Sequence, residues 1–289
     1  LRHPILVAPV AYQKLVHPDG ETAMAMGAAA QDAAMVLSAQ SSTDAAEVRA
    51  AGSGCDWFQL YWGPSRKASL ALVQRIADLG FAAIVLTVDA PVQGVRDSEA
   101  RTGFQLPPDI AAVNLADMPA ARFAPLAPSE SILFDRVADI TPRWSDVDWL
   151  CRNSPLPVIV KGILHPADAR QAINAGACAI IVSNHGGRTL DTVPATVRLL
   201  PAVARAVDGA VPVLMDGGIR RGTDILKALA LGATAVLAGR LPVAGLAVAG
   251  ASGVSHVLRL LRDELEIAMM LTGCASLDEI TPDIIYRKE

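Results

Sequence analysis

Eight short apolar runs recur along the chain, each bounded by Gly, Pro or polar residues. They are ILVAPV (5–10), AMVLSA (34–39), WFQLYW (57–62), AIVLTVD (83–89), PVIVKG (157–162), AIIVSN (179–184), PVLMDG (212–217) and AVLAGR (235–240). None alternates polar and apolar cleanly, which is the pattern of parallel strands covered on both faces. Helical patterns lie between them. SRKASLALVQRIADLG (65–80) places Leu70, Val73, Ile76 and Ala77 on one stripe and stops at Gly80. HPADARQAINAG (165–176) opens with Pro166 and closes with Gly176, and 221–232 and 253–273 follow the same plan. Eight strand–helix units predict a (β/α)8 TIM barrel, one domain over 1–289. An open doubly wound sheet is the rival. It usually carries fewer strands and a glycine-rich first turn, and no GxGxxG follows the first run here.

One connection breaks the rhythm. Residues 90–145, after the fourth run, form a long Pro-, Ala- and Asp-rich stretch, the length expected of a lid or of a partly disordered loop. The 52% hydrophobic content supplies a core, and at net charge −4 there is no basic stripe with interleaved aromatics. Nucleic acid is therefore not expected as a partner, while small anions remain open because a local Arg/Lys cluster can outweigh a mildly acidic whole. Cys55, Cys151, Cys178 and Cys274 form no CxxC pair, so no metal site or disulfide framework is expected and a cytoplasmic setting fits. Cys178, in an apolar context, reads as a small hydrophobe. The opening LRHPILVAPVAY has no signal-peptide layout and enters an apolar run at once, which suggests that an upstream segment is absent. The apolar stretch 233–251 carries Arg240 and Pro242 near its middle and reads as strand, turn and helix start, not a membrane span.

Barrel chemistry gathers at the C-terminal ends of the strands. Here those ends carry Pro9-Val10-Ala11, Ser38, Gln59 and Tyr61, Thr87 and Asp89, Lys161, Ser183 and His185, Asp216-Gly217-Gly218 and Gly239-Arg240. Taken singly, each has a structural explanation: a surface lysine, a hydrogen-bonded histidine, a tight turn. The barrel phase puts all of them on one rim. Gly217-Gly218 and Gly239-Arg240 end the seventh and eighth runs, where barrels often bind phosphate, with Arg220 and Arg240 to supply charge. His185 is the natural general base, with Asp89 to accept its other ring N–H. Arg96 and Arg188 suit a carboxylate clamp. Lys161 is then free to stabilise negative charge developing on a cofactor.

With those residues in place the chain resembles the FMN-dependent 2-hydroxy acid oxidases and dehydrogenases. The resemblance rests on APVAYQKLVHPDGE (8–21), WFQLYW (57–62), LTVDAPVQGVRD (86–97), PVIVKGIL (157–164), SNHGGRTLDTVPAT (183–196) and DGGIRRGTDILKALALGA (216–233), with GCASLDEI (273–280) as the closing segment. It implies FMN contacts from Pro9, Val10, Ala11, Ser38, Gln59, Thr87, Lys161 and Ser183. It sets the flavin phosphate against Asp216, Gly217, Gly218, Arg220, Gly239 and Arg240. His185, paired with Asp89, would abstract a proton, Arg96 and Arg188 would hold the substrate carboxylate, and Tyr61 would hydrogen-bond the substrate. The expected reaction converts a 2-hydroxy acid to the 2-keto acid, with oxygen or another carrier as final acceptor.

The chain departs from the family in lacking the usual segment before the first strand, which carries a further substrate-facing tyrosine. Trp62 either borders an aromatic, mandelate-like substrate or packs against the scaffold. Two other readings stay open: a different FMN barrel such as an isomerase, and an inactive or truncated flavin-binding barrel with an assembly role. Family resemblance implies a homo-oligomer, a tetramer, and residues 107–145 lack the basic amphipathic run of a membrane attachment.

Overall fold

The computed structural model describes residues 2–52, 57–118 and 125–286. All eight apolar runs form strands: β1 Ile5–Val7, β2 Val36–Ser38, β3 Trp57–Leu60, β4 Ala83–Thr87, β5 Val158–Ile163, β6 Ala179–Val182, β7 Val213–Asp216 and β8 Ala235–Ala238. Every ladder is parallel, in the order β1-β8-β7-β6-β5-β4-β3-β2. A bridge from Val7 to Met35 brings β1 back beside β2. The result is the expected (β/α)8 barrel.

Parallel neighbours require crossovers, and helices supply them. They are α1 Gly20–Ala29, α2 Ala45–Ala51, α3 Arg66–Asp78, α4 Asp97–Thr102, α5 Ala138–Ile140, α6 Trp144–Asn153, α7 Pro166–Asn174, α8 Thr196–Val207, α9 Gly222–Ala230 and α10 Arg240–Thr272. The sequence patterns marked α3, α7, α9 and the second half of α10. They passed over α1, whose small residues are buried on most sides, and α8, interrupted by Pro201. In α3 the buried stripe is Ser69, Leu72, Val73 and Ile76, and Leu70 and Ala77 sit at its half-buried margins. The long connection after β4 is not structureless: it holds α4, α5 and a π-helical turn at Leu133–Val137.

α10 is two helices merged at a kink, with non-helical backbone at Ala249 and Gly250. It is long and apolar enough to cross a membrane by length and composition, yet it packs against α1 and α9 of the barrel. Its first residues follow β8 directly, so 233–251 is strand, turn and helix start. Cys178 is exposed, not buried as its apolar neighbours suggested, because it sits in the turn before β6. Cys55 lies outside the described residues.

Strand side chains alternate between two faces. One face packs against the helices, with Leu37, Phe58, Ile84, Val160, Ile180, Met215 and Val236 in the larger core. The other fills the barrel interior with Leu6, Val36, Trp57, Val85, Ile159, Ile181, Leu214 and Leu237, one from each strand. Two residues further along every strand the inward position is Ala8, Ser38, Gln59, Thr87, Lys161, Ser183, Asp216 and Gly239. Six of these eight carry polar side chains, set directly above an apolar plug. The period of two therefore builds a polar floor at the C-terminal mouth.

Candidate active site

The floor is fixed by its own hydrogen bonds. The Gln59 carbonyl Oε1 accepts from Ser38 Oγ at 3.2 Å and from the Ala39 amide at 3.3 Å. Its Nε2 is buried and has no partner. Thr87 Oγ1 and Asp216 Oδ1 are buried and unpartnered as well. An unmet buried polar group costs about 1–3 kcal/mol. Three on one floor leave hydrogen-bonding groups for a bound polar ligand.

Lys161 is buried, with 3% exposure. Its Nζ donates to Ser183 Oγ at 2.9 Å and pairs with Asp216 Oδ2 at 3.1 Å. Burial alone would lower its pKa, but the Asp216 and Asp89 carboxylates outweigh burial and hold it above the ordinary lysine value. A fixed cation thus stands in the floor. Asp216, which the resemblance sets against a phosphate, turns its carboxylate to Lys161, while its backbone leads into the Gly217-Gly218 turn.

His185 stands just above. Ser183 Oγ, which binds Lys161, also accepts the His185 backbone N–H at 3.0 Å. The backbone then turns through three left-handed residues, His185 (φ 56), Gly186 (φ 65) and Gly187 (φ 75). Left-handed backbone at a non-glycine costs about 1–3 kcal/mol and tends to persist at functional sites. It aims the ring so that Nδ1 lies 2.8 Å from Asp89 Oδ1 and Nε2 lies 3.4 Å from the Tyr61 hydroxyl. Burial raises the Tyr61 pKa, with Lys161 opposing and Asp89 reinforcing the shift, so the phenol stays protonated.

Asp89 reaches His185 because of Gly162, which the sequence reading did not single out. β5 is irregular between Lys161 and Ile163, and Gly162 has φ +110. A Cβ there would stand 2.6 Å from Asp89 Cβ and 2.8 Å from its Cγ. A glycine inside a strand-like run is the signal that could have found it.

The arginines converge from two connections. Arg96, ahead of α4, and Arg188, after the HGG turn, both bind the Glu99 carboxylate: Arg96 Nη1 at 3.2 Å and Arg188 Nη2 at 3.1 Å. Glu99 too escaped the sequence reading, since nothing marks one acidic residue in this long connection. At the eighth strand, Arg240 Nη2 donates to Gly186 O at 3.4 Å, bringing the β8 end over the HGGR turn. Gly217 and Gly218 have φ 89 and 80, and a Cβ at Gly218 would meet nothing within 4 Å, so this backbone is open to a ligand. Thr196 Oγ1 donates to Asp216 O at 2.6 Å and steadies the turn. Arg220 lies on this turn, exposed, with its amide bonded to Asp224. Pro9, Val10 and Ala11 line the mouth beside β8, with Val10 Cγ2 3.9 Å from the position of a Cβ at Gly239.

From Tyr61 and Thr87 a cavity of about 700 Å³ runs under the long connection. Trp62, Leu115, Met118, Val137, Ile140 and Trp144 wall it. Trp62 also packs on the core. Among the described residues no group of three or more His, Cys, Asp or Glu is placed to hold a metal ion.

Comparison with known proteins places the chain in one family. The family model for FMN-dependent dehydrogenases matches residues 1–287. An L-lactate oxidase of Roseobacter sp. (strain GAI101) is 54% identical over 283 residues, covering 98% of this chain and 76% of that protein. Glycolate oxidase 1 of Zea mays is 48% identical over 281 residues, covering 96% and 76%. A solved structure of mandelate oxidase with (S)-2-phenylpropionate superposes with a TM-score of 0.85 at 43% identity, covering 96% of this chain and 76% of that one. A mandelate oxidase variant carrying a C4a-OH-FMN adduct also gives 0.85 at 43%, covering 96% and 77%.

Proposed function

The chain belongs to the FMN-dependent dehydrogenase family and is an FMN-dependent enzyme that oxidises 2-hydroxy acids to 2-keto acids, and we propose which residues hold the cofactor, hold the substrate and move the proton. The floor suits FMN. Gln59 Nε2 and Thr87 Oγ1 are unpartnered polar groups for a heterocycle edge, and Lys161 is a fixed cation beside them. Pro9, Val10, Ala11, Ser38 and Ser183 complete the cradle. Gly217, Gly218, Gly239, Arg220 and Arg240 offer backbone N–H groups and charge for the phosphate. When bound, FMN accepts the two electrons that leave the substrate's α-carbon.

The observation that carries the reading is the His185–Asp89 pair at 2.8 Å, set between the Lys161 floor and the two guanidinium groups. Asp89 holds the Nδ1–H tautomer, leaving Nε2 free to take the proton lost by the hydroxy acid. The imidazolium that results is stabilised by the carboxylate beside it. Tyr61 donates to the substrate oxygen next to that nitrogen. Arg96 and Arg188 hold the carboxylate and so fix which hydrogen faces the base. The apolar cavity beyond Tyr61 favours a substrate with a bulky or aromatic side chain, as in mandelate.

We also assign oxygen as final acceptor, in line with relatives named as oxidases. A cytoplasmic, non-membrane homo-oligomer fits the free Cys151, Cys178 and Cys274 and the exposed Ile267, Met270 and Leu271 on α10. The test is an anaerobic visible spectrum of the holoenzyme before and after glycolate, lactate or mandelate. Bleaching of the flavin bands with matching 2-keto acid is expected, followed by rapid recovery in air. A flavin spectrum indifferent to all three acids would contradict the reading.

A further inference from the structure

Glu99 has no part in the scheme above, yet it sits at the centre of the carboxylate clamp. Both its carboxylate oxygens lie 3.2 Å from Arg96 Nη1, and Oε1 lies 3.1 Å from Arg188 Nη2. The bridge joins two separate connections, the one after β4 and the one after β6. It is held close because Gly94 lies against the carbonyls of Arg188 and Thr189, leaving no room for a Cβ. Glu99 engages a single nitrogen of each guanidinium. Each arginine has five N–H donors, so most remain for a ligand, and Arg96 Nε is buried with no partner.

Charge sets the consequence. Arg96 and Arg188 contribute two positive charges and Glu99 one negative, leaving a clamp of net +1. Of the other charged groups nearby, Lys161 is paired with Asp216 and Arg101 with Asp97 at 3.8 Å, Asp89 adds a negative charge beside the neutral His185, and Arg240, which reaches Gly186 O, is assigned to the phosphate. One incoming carboxylate therefore neutralises the clamp. A second finds every other cation paired or committed to the phosphate, and faces the Glu99 carboxylate instead. Burial pushes the Glu99 pKa up, but both arginines outweigh it and hold the group below the ordinary carboxylate range, so it stays ionised at neutral pH.

We propose that Glu99 is a specificity-determining residue, which sets the arginine clamp to accept one carboxylate and to reject 2-hydroxy dicarboxylates. This rests on the reading of Arg96 and Arg188 as the substrate clamp. Specificity of this kind comes from a repulsive element built beside the attractive one.

The experiment measures, on the FMN-loaded enzyme, the dissociation constants of oxamate and oxalate by calorimetry. The two are nearly the same shape, neither has an oxidisable α-hydrogen, and they differ by one charge. Glu99→Gln is expected to shift the oxamate-to-oxalate preference toward oxalate by about five- to tenfold. Glu99→Asp, which keeps the charge, is expected to retain the wild-type ratio. An unchanged ratio in Glu99→Gln, or proportional loss of both ligands, makes Glu99 a mere structural tether and overturns the proposal. Arg188→Met separates the two layers of the argument. It should weaken both ligands about tenfold or more. If it weakens neither, the clamp reading falls and the Glu99 proposal falls with it. If it weakens both while Glu99→Gln leaves the ratio fixed, the clamp stands and only the proposal fails.

Discussion

Gly162→Ala removes no functional group, yet it should disable the base. The backbone at Gly162 has φ +110, a region that costs a side-chain-bearing residue about 1–3 kcal/mol. The new methyl would stand 2.6 Å from Asp89 Cβ, where ordinary contact begins at 3.4 Å, so Asp89 must retreat by about 0.8 Å. Such a retreat would stretch the Nδ1–Oδ1 contact from 2.8 Å to about 3.6 Å, beyond hydrogen-bond range. A total loss of about 3 kcal/mol in stability follows, read as a melting temperature lower by about 5–10 °C. Misplacing a catalytic group by about 1 Å can cost about 100-fold, and that loss should appear in the rate of flavin reduction under anaerobic stopped flow. Asp89→Ala provides the reference. If Gly162→Ala reduces its flavin within about threefold of wild type while Asp89→Ala falls about 100-fold, then Gly162 does not set the position of Asp89.

Other expectations concern stability. Glu21 is fully buried and accepts from the amides of Gln13 and Ser42 and the hydroxyls of Ser42 and Thr43 at 2.8–3.0 Å, tying the loop after β1 to the loop after β2. Glu21→Ala strands these donors and should cost about 3 kcal/mol or more, measured by chemical denaturation. Lys161→Met leaves Asp216 buried without a counter-charge and should destabilise by about 3–5 kcal/mol. The double variant with Asp216→Asn should recover more than half of that, as a double-mutant cycle would show. Lys161 and Tyr61 both have pKa values raised in the fold. Because the folded state holds these protons more tightly, the stability they contribute is full below about pH 10 and lost as pH climbs through the raised values. Melting temperatures taken from pH 8 to 11 should decline at the upper end, and less steeply in Tyr61→Phe.

How far the chain could be read in advance follows from the range of each interaction. Strands and their polar ends were legible because burial on both faces leaves unbroken apolar runs, and Lys161, Ser183 and Asp216 simply extend the inward phase of Ile159, Ile181 and Leu214. Glu99 was not legible. It reaches both Arg96 and Arg188 only because the connections after β4 and β6 meet in space, and a single Glu in that stretch carries no local mark. Gly162 is visible as a glycine in a strand, but what it makes room for lies some seventy residues earlier in the chain. The Lys161 partner of the Asp216 side chain was not legible for a similar reason, since it comes from β5. Cys178 misled because apolar neighbours do not reveal that a residue turns outward at a strand's start.

The central claim is that the His185–Asp89 pair moves the proton while the floor beneath it holds FMN. The most direct measurement compares His185→Ala with wild type in two numbers: the FMN dissociation constant, and the anaerobic rate of flavin reduction by a 2-hydroxy acid substrate. The account predicts an FMN affinity within a few-fold of wild type and a reduction rate lower by about 10²–10⁴-fold. Reduction at the wild-type rate in His185→Ala would contradict it.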